Sequence, residues 1–392
     1  MKGMSMFEFY LPTRLIFGEK SFNRLGETAG RFGKRALLVT DPVMDTMGVL
    51  GRAADLLKAR GMDVLAFSGV LPNPTSTIIN ETADTFRSNL PDVVIGIGGG
   101  SSIDSAKALA VALSQEGDIW QCINEKGREV RSITASTLPV VAVPTTAGTG
   151  AEVTAVAVLV NPQTTAKRGL YSEYIFPKAA IVDPELMMSA PPRLTAATGI
   201  DALSHAIEAC ISKDAHAYAE MTGLAAIRYI AGSLPVAVAN GSDLKARSQM
   251  AWGATLAGIA ISNGDVTLVH ALGHPLSGRF NIGHGEAIAL GLPGVMRHSW
   301  MLDMAKFARI AEAFGVCSSG DNPRLAARKS VGAVEELLGD IGLSLRLRDF
   351  GVKEADIEDL AKDVTGYMTG CLAAHPKACS MQEIAAIYRE ML

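Results

Sequence analysis

From residue 35 to residue 100 the chain alternates short β-branched runs with helix-forming stretches, and this alternation limits the fold more than any other feature. The runs are RALLVT at 35–40, DVLAF at 63–67 and VVIGIGGG at 93–100, with helices expected over about 44–60 and 76–87. Strands separated by whole helices lie parallel in one sheet, and the helices cover its faces. VVAVPTT and VTAVAVLV extend the same sheet in this reading, and AAIVDP at 179–184 is its last strand. Upstream, FEFYLPTRLIF at 7–17 reads as an extended segment closed by Gly18.

After Pro191 and Pro192 no long β-branched run recurs, and an alanine-rich helical pattern continues to the end. Helices are expected over about 194–211, 215–231, 244–262, 266–276, 286–298, 302–314, 323–338, 354–368 and 381–391. At 392 residues the chain is too long for one average domain and divides into an α/β domain, 1–190, and an all-helical domain, 191–392. Ligands favour junctions of this kind. A net charge of −4 offers no basic field to a nucleic acid or an anionic membrane, so a small-molecule partner is expected. Five scattered cysteines, none in CxxC spacing, point to a reducing cytoplasm. The N-terminus lacks the apolar core of a signal peptide, and no window reaches membrane-spanning length in this reading.

Seven histidines occur in the chain, and five of them, His205, His216, His270, His274 and His284, fall in one region. Residues four apart share a helix face, so Asp201 and His205 of DALSHAIE converge, as do His270 and His274 of VHALGHPLSGRFNIGHGEA. His284, set between two glycines, reads as a loop residue able to turn toward the same point. One carboxylate with several imidazoles suits divalent iron or zinc and leaves a coordination position for a substrate.

The run GIGGGSSIDSAKALAVAL combines a strand end, a glycine cluster and a helix start. Glycines let backbone amides approach a phosphate, and the helix N-terminus adds unpaired donors. Ser101 and Ser102 either cap that helix or donate to the anion. The cluster follows the third or fourth strand, not the first, which departs from a standard Rossmann fingerprint. Asp41, directly after ALLVT, stands where a carboxylate binds ribose hydroxyls and repels a 2′-phosphate, favouring NAD over NADP.

DALSHAIE, together with AGIAISNGDVTLVHALGHPLSGRFNIGHG, resembles the metal-binding segments of the iron-containing (group III) alcohol dehydrogenases, and the resemblance runs over nearly the whole chain. It implies metal ligands at Asp201, His205, His270 and His284, with His274 beside the metal and near the nicotinamide as the proton relay. It implies that Gly99, Gly100, Ser101 and Asp104 contact the cofactor, and that Thr145, Thr146 and Thr149 of PTTAGTGAEVT line its path. Asn73 of PNPT and Lys167 match further positions near the cofactor. The implied fold is an N-terminal parallel-sheet, NAD-binding domain followed by a helical metal-binding domain, as in dehydroquinate synthase and the iron alcohol dehydrogenases.

The implied chemistry is hydride transfer between NAD(H) and a small primary alcohol or aldehyde, the alcohol losing its proton to become an alkoxide on Fe2+, or on Zn2+. Ile261 stands where relatives often carry an aromatic ring, and Val156 where some carry a polar group, which together imply a roomier or more apolar pocket. Arg279 could meet an anionic substrate group; Glu286 also flanks the last ligand, and Cys371 and His375 occupy a pocket-lining position and an NPR-like turn. Rival readings are a dehydroquinate-synthase-like lyase, a glycerol dehydrogenase, a maleylacetate reductase and a non-catalytic metal- or nucleotide-binding protein. The lyase would need a dense set of lysines and arginines that is missing around the metal motifs. Family members are commonly dimers or larger, so a homodimer or higher homo-oligomer, with the N-terminal segment pairing across its interface, is expected.

Overall fold

The computed structural model describes residues 6–125, 129–318 and 320–392; residues 1–5 of the N-terminus read above for a leader lie outside them. The chain forms two compact units. One comprises Leu11–Thr146 and Ala151–Met187; the other comprises Ala147–Gly150, Met188–Leu392 and the N-terminal stretch ending at Tyr10.

In the first unit, strands β1 (Arg14–Phe17), β2 (Arg35–Thr40), β3 (Asp63–Phe67), β4 (Val93–Gly98), β5 (Val140–Pro144) and β8 (Ala179–Val182) form one sheet in the order β1-β8-β5-β4-β2-β3. All of its pairings are parallel. Neighbouring residues face opposite ways: Leu37, Val39 and Val94 join one apolar cluster, and Ala36, Leu38, Val93, Ile95 and Ile97 the other. Both faces are thus covered, which is why the central strands read as unbroken apolar runs. Helices α1 (Leu25–Ala29), α2 (Pro42–Thr46), α3 (Val49–Lys58), α4 (Ser76–Phe86) and α5 (Gly100–Ser114) connect the strands. The single helix expected over 44–60 is broken into α2 and α3 at Gly48, whose φ is 76°.

One strand assignment is corrected. VTAVAVLV does not extend the sheet: β6 (Val156–Val160) pairs antiparallel with β7 (Lys167–Tyr171) as a separate two-stranded ribbon. A β-branched run announces a strand without naming its partner.

The second unit is helical: α6 (Pro192–Ile211), α7 (Ala217–Ala239), α8 (Leu244–Gly264), α9 (Leu268–Phe280), α10 (His284–Ser299), α11 (Met304–Phe314), α12 (Pro323–Asp340), α13 (Ile357–Tyr367), α14 (Thr369–Ala374) and α15 (Met381–Met391). These helices enclose one continuous apolar cluster that includes Ile200, Leu203, Ile230, Leu272, Val295 and Tyr388. α14 was not anticipated, and α7 runs on through Pro235 to Ala239. Packing of Leu234 and Ala237 into the core outweighs the cost of roughly 3 kcal/mol that proline brings to a helix interior. α7 alone among the described residues is long and apolar enough to cross a membrane, which corrects the expectation that no window reaches that length. Its Ala226, Ile227, Ile230 and Leu234 are fully buried within the helical unit.

Candidate active site

In the helical unit, α6 presents Asp201 and His205 one turn apart, α9 presents His270 and His274, and α10 opens with His284. His284 is therefore the first residue of a helix and not part of a loop; Gly283 is its N-cap. Gly285 explains the flanking glycines, because a Cβ there would stand 2.1 Å from the Ala197 carbonyl oxygen of α6. Only glycine lets the start of α10 press against α6 so closely.

Asp201 Oδ1 lies 3.4 Å from His284 Nε2, 3.5 Å from His270 Nε2 and 3.7 Å from His205 Nε2. Donor atoms of Asp201, His270 and His284 all fall within 4.8 Å of one another. His205 stacks on His270 with ring centroids 4.7 Å apart. These separations are long for hydrogen bonds, and Asp201 Oδ1 and His270 Nε2 are buried without a hydrogen-bond partner. Leaving such atoms bare costs about 1–3 kcal/mol each, and more when charged. Ligands about 2.1 Å from a shared ion stand roughly 3 to 3.5 Å apart, so the donor set fits a divalent metal. Asp201, His205 and His270 are buried, whereas the His284 side chain is 26% exposed, which makes it the open edge of the site. His274 is adjacent, its ring 5.6 Å from that of His284 and 6.5 Å from that of His270.

Burial pushes the Asp201 carboxyl up, but His205, His284 and His270 together bring it well below the usual carboxylate range. Burial pushes His205 down against the pull of Asp201. Burial likewise works against charge on His270 and Glu208, yet their contact prevails, with Glu208 brought down to about 2 and His270 up to about 10.

In the α/β unit the chain leaves β2 for β3 at the sheet edge and returns to β4 on the other side of β2. The carboxyl ends of β2 and β4 thus form a topological switch point, where ligands of open α/β sheets bind. Asp41 follows β2 there, and Gly98 ends β4 with Gly99 directly after it. Asp41 Oδ1 caps α2 by accepting from Val43 and Met44 N–H, and the Ser102 hydroxyl donates to its Oδ2 across the switch point at 3.4 Å. Gly98 has φ 142°, and a Cβ there would meet Ser102 Oγ at 2.4 Å. Asp41 and Thr75 cap α2 and α4, but α5 begins at Gly99 without a side-chain cap, leaving its N-terminus available to an anion. The Thr145 N–H donates to the Gly98 carbonyl, and Thr146 Oγ1 faces Gly99. Buried Lys167 donates to Asn73 Oδ1 at 3.0 Å, so it is not a solvated surface lysine.

The family described as iron-containing alcohol dehydrogenase matches residues 12–184, and its C-terminal part matches residues 195–392. The chain belongs to the iron-containing alcohol dehydrogenases. It is 40% identical to the 1,3-propanediol dehydrogenase of Klebsiella pneumoniae over 98% of both chains. It is 36% identical to the NAD-dependent methanol dehydrogenase of Bacillus methanolicus over 99% of this chain and 100% of that one. The crystal structure of an archaeal halo-thermophilic alcohol dehydrogenase from a Red Sea brine pool superposes with a TM-score of 0.95 over all of both chains at 36% identity.

The remaining candidate residues of this alcohol dehydrogenase have surroundings that the sequence did not show. Arg279 is half-exposed and paired with Asp363 of α13. Glu286 pairs with Arg193. Asp104 faces the β6–β7 ribbon, where its Oδ2 accepts from Val158 N–H at 3.0 Å; burial pushes it up to about 6 against the pull of Lys107. Lys107 is fully buried and donates to the carbonyls of Thr154 and Val156, and burial brings it down to about 8. These two groups tie α5 to the ribbon. Ile261 sits on the last turn of α8, Val156 opens β6, and Cys371 packs against the helical core with its thiol pushed up by burial.

Glu208 went unassigned in the sequence, although it lies seven residues after Asp201 on the same face of α6. It is fully buried and accepts from Thr267 N–H at 2.8 Å, the Thr267 hydroxyl at 2.9 Å, Val269 N–H at 3.0 Å and the Ser204 hydroxyl at 3.0 Å, and it touches His270 Nδ1.

Proposed function

We propose that this chain transfers a hydride between NAD(H) and a small primary alcohol or aldehyde with the help of a bound metal ion. The observation that carries this reading is the buried meeting of one carboxylate oxygen with three imidazoles, of which Asp201 Oδ1 and His270 Nε2 have no hydrogen-bond partner. Asp201, His205, His270 and His284 would hold the ion: ferrous iron by the family's description, or zinc by the same donor chemistry. Bound there, the ion would act as a Lewis acid toward the oxygen of alcohol or aldehyde.

The remaining work falls to the chain's own side chains and backbone. In oxidation, a ring nitrogen of His274 takes up the hydroxyl proton as hydride passes from the substrate carbon to nicotinamide C4; in reduction it returns the proton. The uncapped start of α5, with Gly99, Gly100 and Ser101, holds the pyrophosphate. Asp41 accepts from the ribose hydroxyls and repels a 2′-phosphate. Thr145, Thr146, Thr149, Asn73 and Lys167 line the rest of the cofactor path. Ile261, Val156 and Cys371 bring no charge, which favours uncharged substrates, and the relatives named for propanediol and methanol favour small ones.

The test is NADH oxidation by anaerobically prepared protein, reconstituted separately with ferrous iron and zinc, against short aldehydes with and without an anionic group. Metal-dependent turnover of the uncharged aldehydes is the expected result. Absence of turnover with either metal, despite full loading and tight NADH binding, would transfer the chain to the lyase or the non-catalytic reading.

A further inference from the structure

The carboxylate of Glu208 is fully buried behind the candidate metal ligands and met by five donors. Its two oxygens have different surroundings. Oε1 accepts from Thr267 N–H, the Thr267 hydroxyl and Val269 N–H, at 2.8, 2.9 and 3.0 Å. Oε2 accepts from the Ser204 hydroxyl at 3.0 Å and touches His270 Nδ1. An ionised carboxylate has no proton to offer, so the nitrogen against it must carry one. When the His270 ring gives up its second proton to bind a metal, the proton held against Glu208 stays on Nδ1 and the lone pair appears at Nε2, the atom 3.5 Å from Asp201 Oδ1 that has no hydrogen-bond partner.

We infer that Glu208 is a positioning residue that holds His270 in the Nδ1–H tautomer and thereby makes Nε2 a metal ligand. This rests on the metal reading of the same site. The tautomer at one ring nitrogen is set by what the other nitrogen meets, and second partners of this type typically affect metal affinity by about 10–100-fold. Thr267 and Val269 belong to the turn that opens α9, so one buried carboxylate fixes both the backbone carrying His270 and the state of its ring.

The three donors at Oε1 make Glu208→Gln an unusually sharp probe. They admit only the amide oxygen at that position, which forces the NH2 group to the place of Oε2, facing His270 Nδ1. The ring must then accept at Nδ1 and carry its proton on Nε2, aimed at Asp201 Oδ1 and into the metal position. The shape of the side chain is unchanged, and the Ser204 hydroxyl can rotate to accept.

Two measurements test this. The first is zinc affinity of the native and Glu208→Gln proteins, by competition with a chromogenic chelator, alongside their metal-free melting temperatures. The second is the 15N histidine spectrum of the zinc-loaded native protein. We expect zinc affinity to fall on the order of 100-fold in Glu208→Gln while the metal-free protein still melts in one cooperative step, and a protonated Nδ1 at His270. Zinc binding unaltered by Glu208→Gln, or an unprotonated His270 Nδ1, overturns the assignment while leaving the metal site standing. A loss of affinity that merely follows a collapse of the metal-free fold overturns it in favour of a structural role. No zinc uptake by the native sequence removes the metal reading, and this assignment with it.

Discussion

His375 is fully buried, its Nε2 shared with the Ser299 hydroxyl at 3.2 Å and its Nδ1 without a partner. Burial, opposed by Glu208 and reinforced by His298, Lys213 and Lys377, pushes it down to about 4. The unfolded chain, with an ordinary histidine near 6.5, binds the proton more readily. Stability from the neutral ring is therefore fully present above about pH 6.5 and is lost as pH falls toward and through about 4, amounting to roughly 3 kcal/mol. His375→Asn, which can still meet Ser299 but does not titrate, should flatten the fall in melting temperature between those limits; parallel pH profiles in the two proteins would refute this. The same contrast governs legibility of single residues. Asp201 with His205, and His270 with His274, stood out because helical spacing aligns each pair before any packing is known. Glu208 shares that face and went unread, since its role depends on Thr267, Val269 and His270, far off in sequence. The partner of Arg279 was equally illegible, because Asp363 comes from another helix.

At the scale of elements, the start of α10 is set by contact and not by propensity. A methyl group on Gly285 would sit 2.1 Å from the Ala197 oxygen and 2.5 Å from its carbonyl carbon, both backbone atoms that cannot swing aside. Gly285→Ala should push α10 away from α6 and carry His284 off Asp201, weakening zinc binding at least tenfold and lowering stability by about 1–3 kcal/mol. Undiminished zinc affinity in that variant would show that the approach of α10 does not position His284. Reading His284 as a loop residue came from Gly283 and Gly285, which signal loops by propensity, whereas here Gly283 is the N-cap and Gly285 serves close packing. β6 went to the wrong sheet for a related reason: Val156–Val160 has the composition of any strand, and only its register with Lys167–Tyr171 makes it a ribbon.

Across the whole molecule, each unit has its own apolar clusters, and the candidate metal ligands and the switch-point residues belong to different units. His270→Ala should accordingly abolish zinc uptake and turnover while NADH binding, followed by fluorescence titration, stays nearly intact; loss of both would mean that the two sites are misassigned. The sequence alone determined the parallel sheet, the helical second half, the glycine turn after β4 and the spacing of Asp201 with His205, because period and local backbone chemistry act within a few residues. Only the tertiary structure decided where β6 pairs, which face of α10 meets α6, that Arg279 is engaged by Asp363, and that Glu208 stands behind His270. Those outcomes depend on partners that lie outside any local window, 84 residues apart for Arg279 and Asp363, and no local pattern encodes a contact whose two halves meet only once the chain has packed.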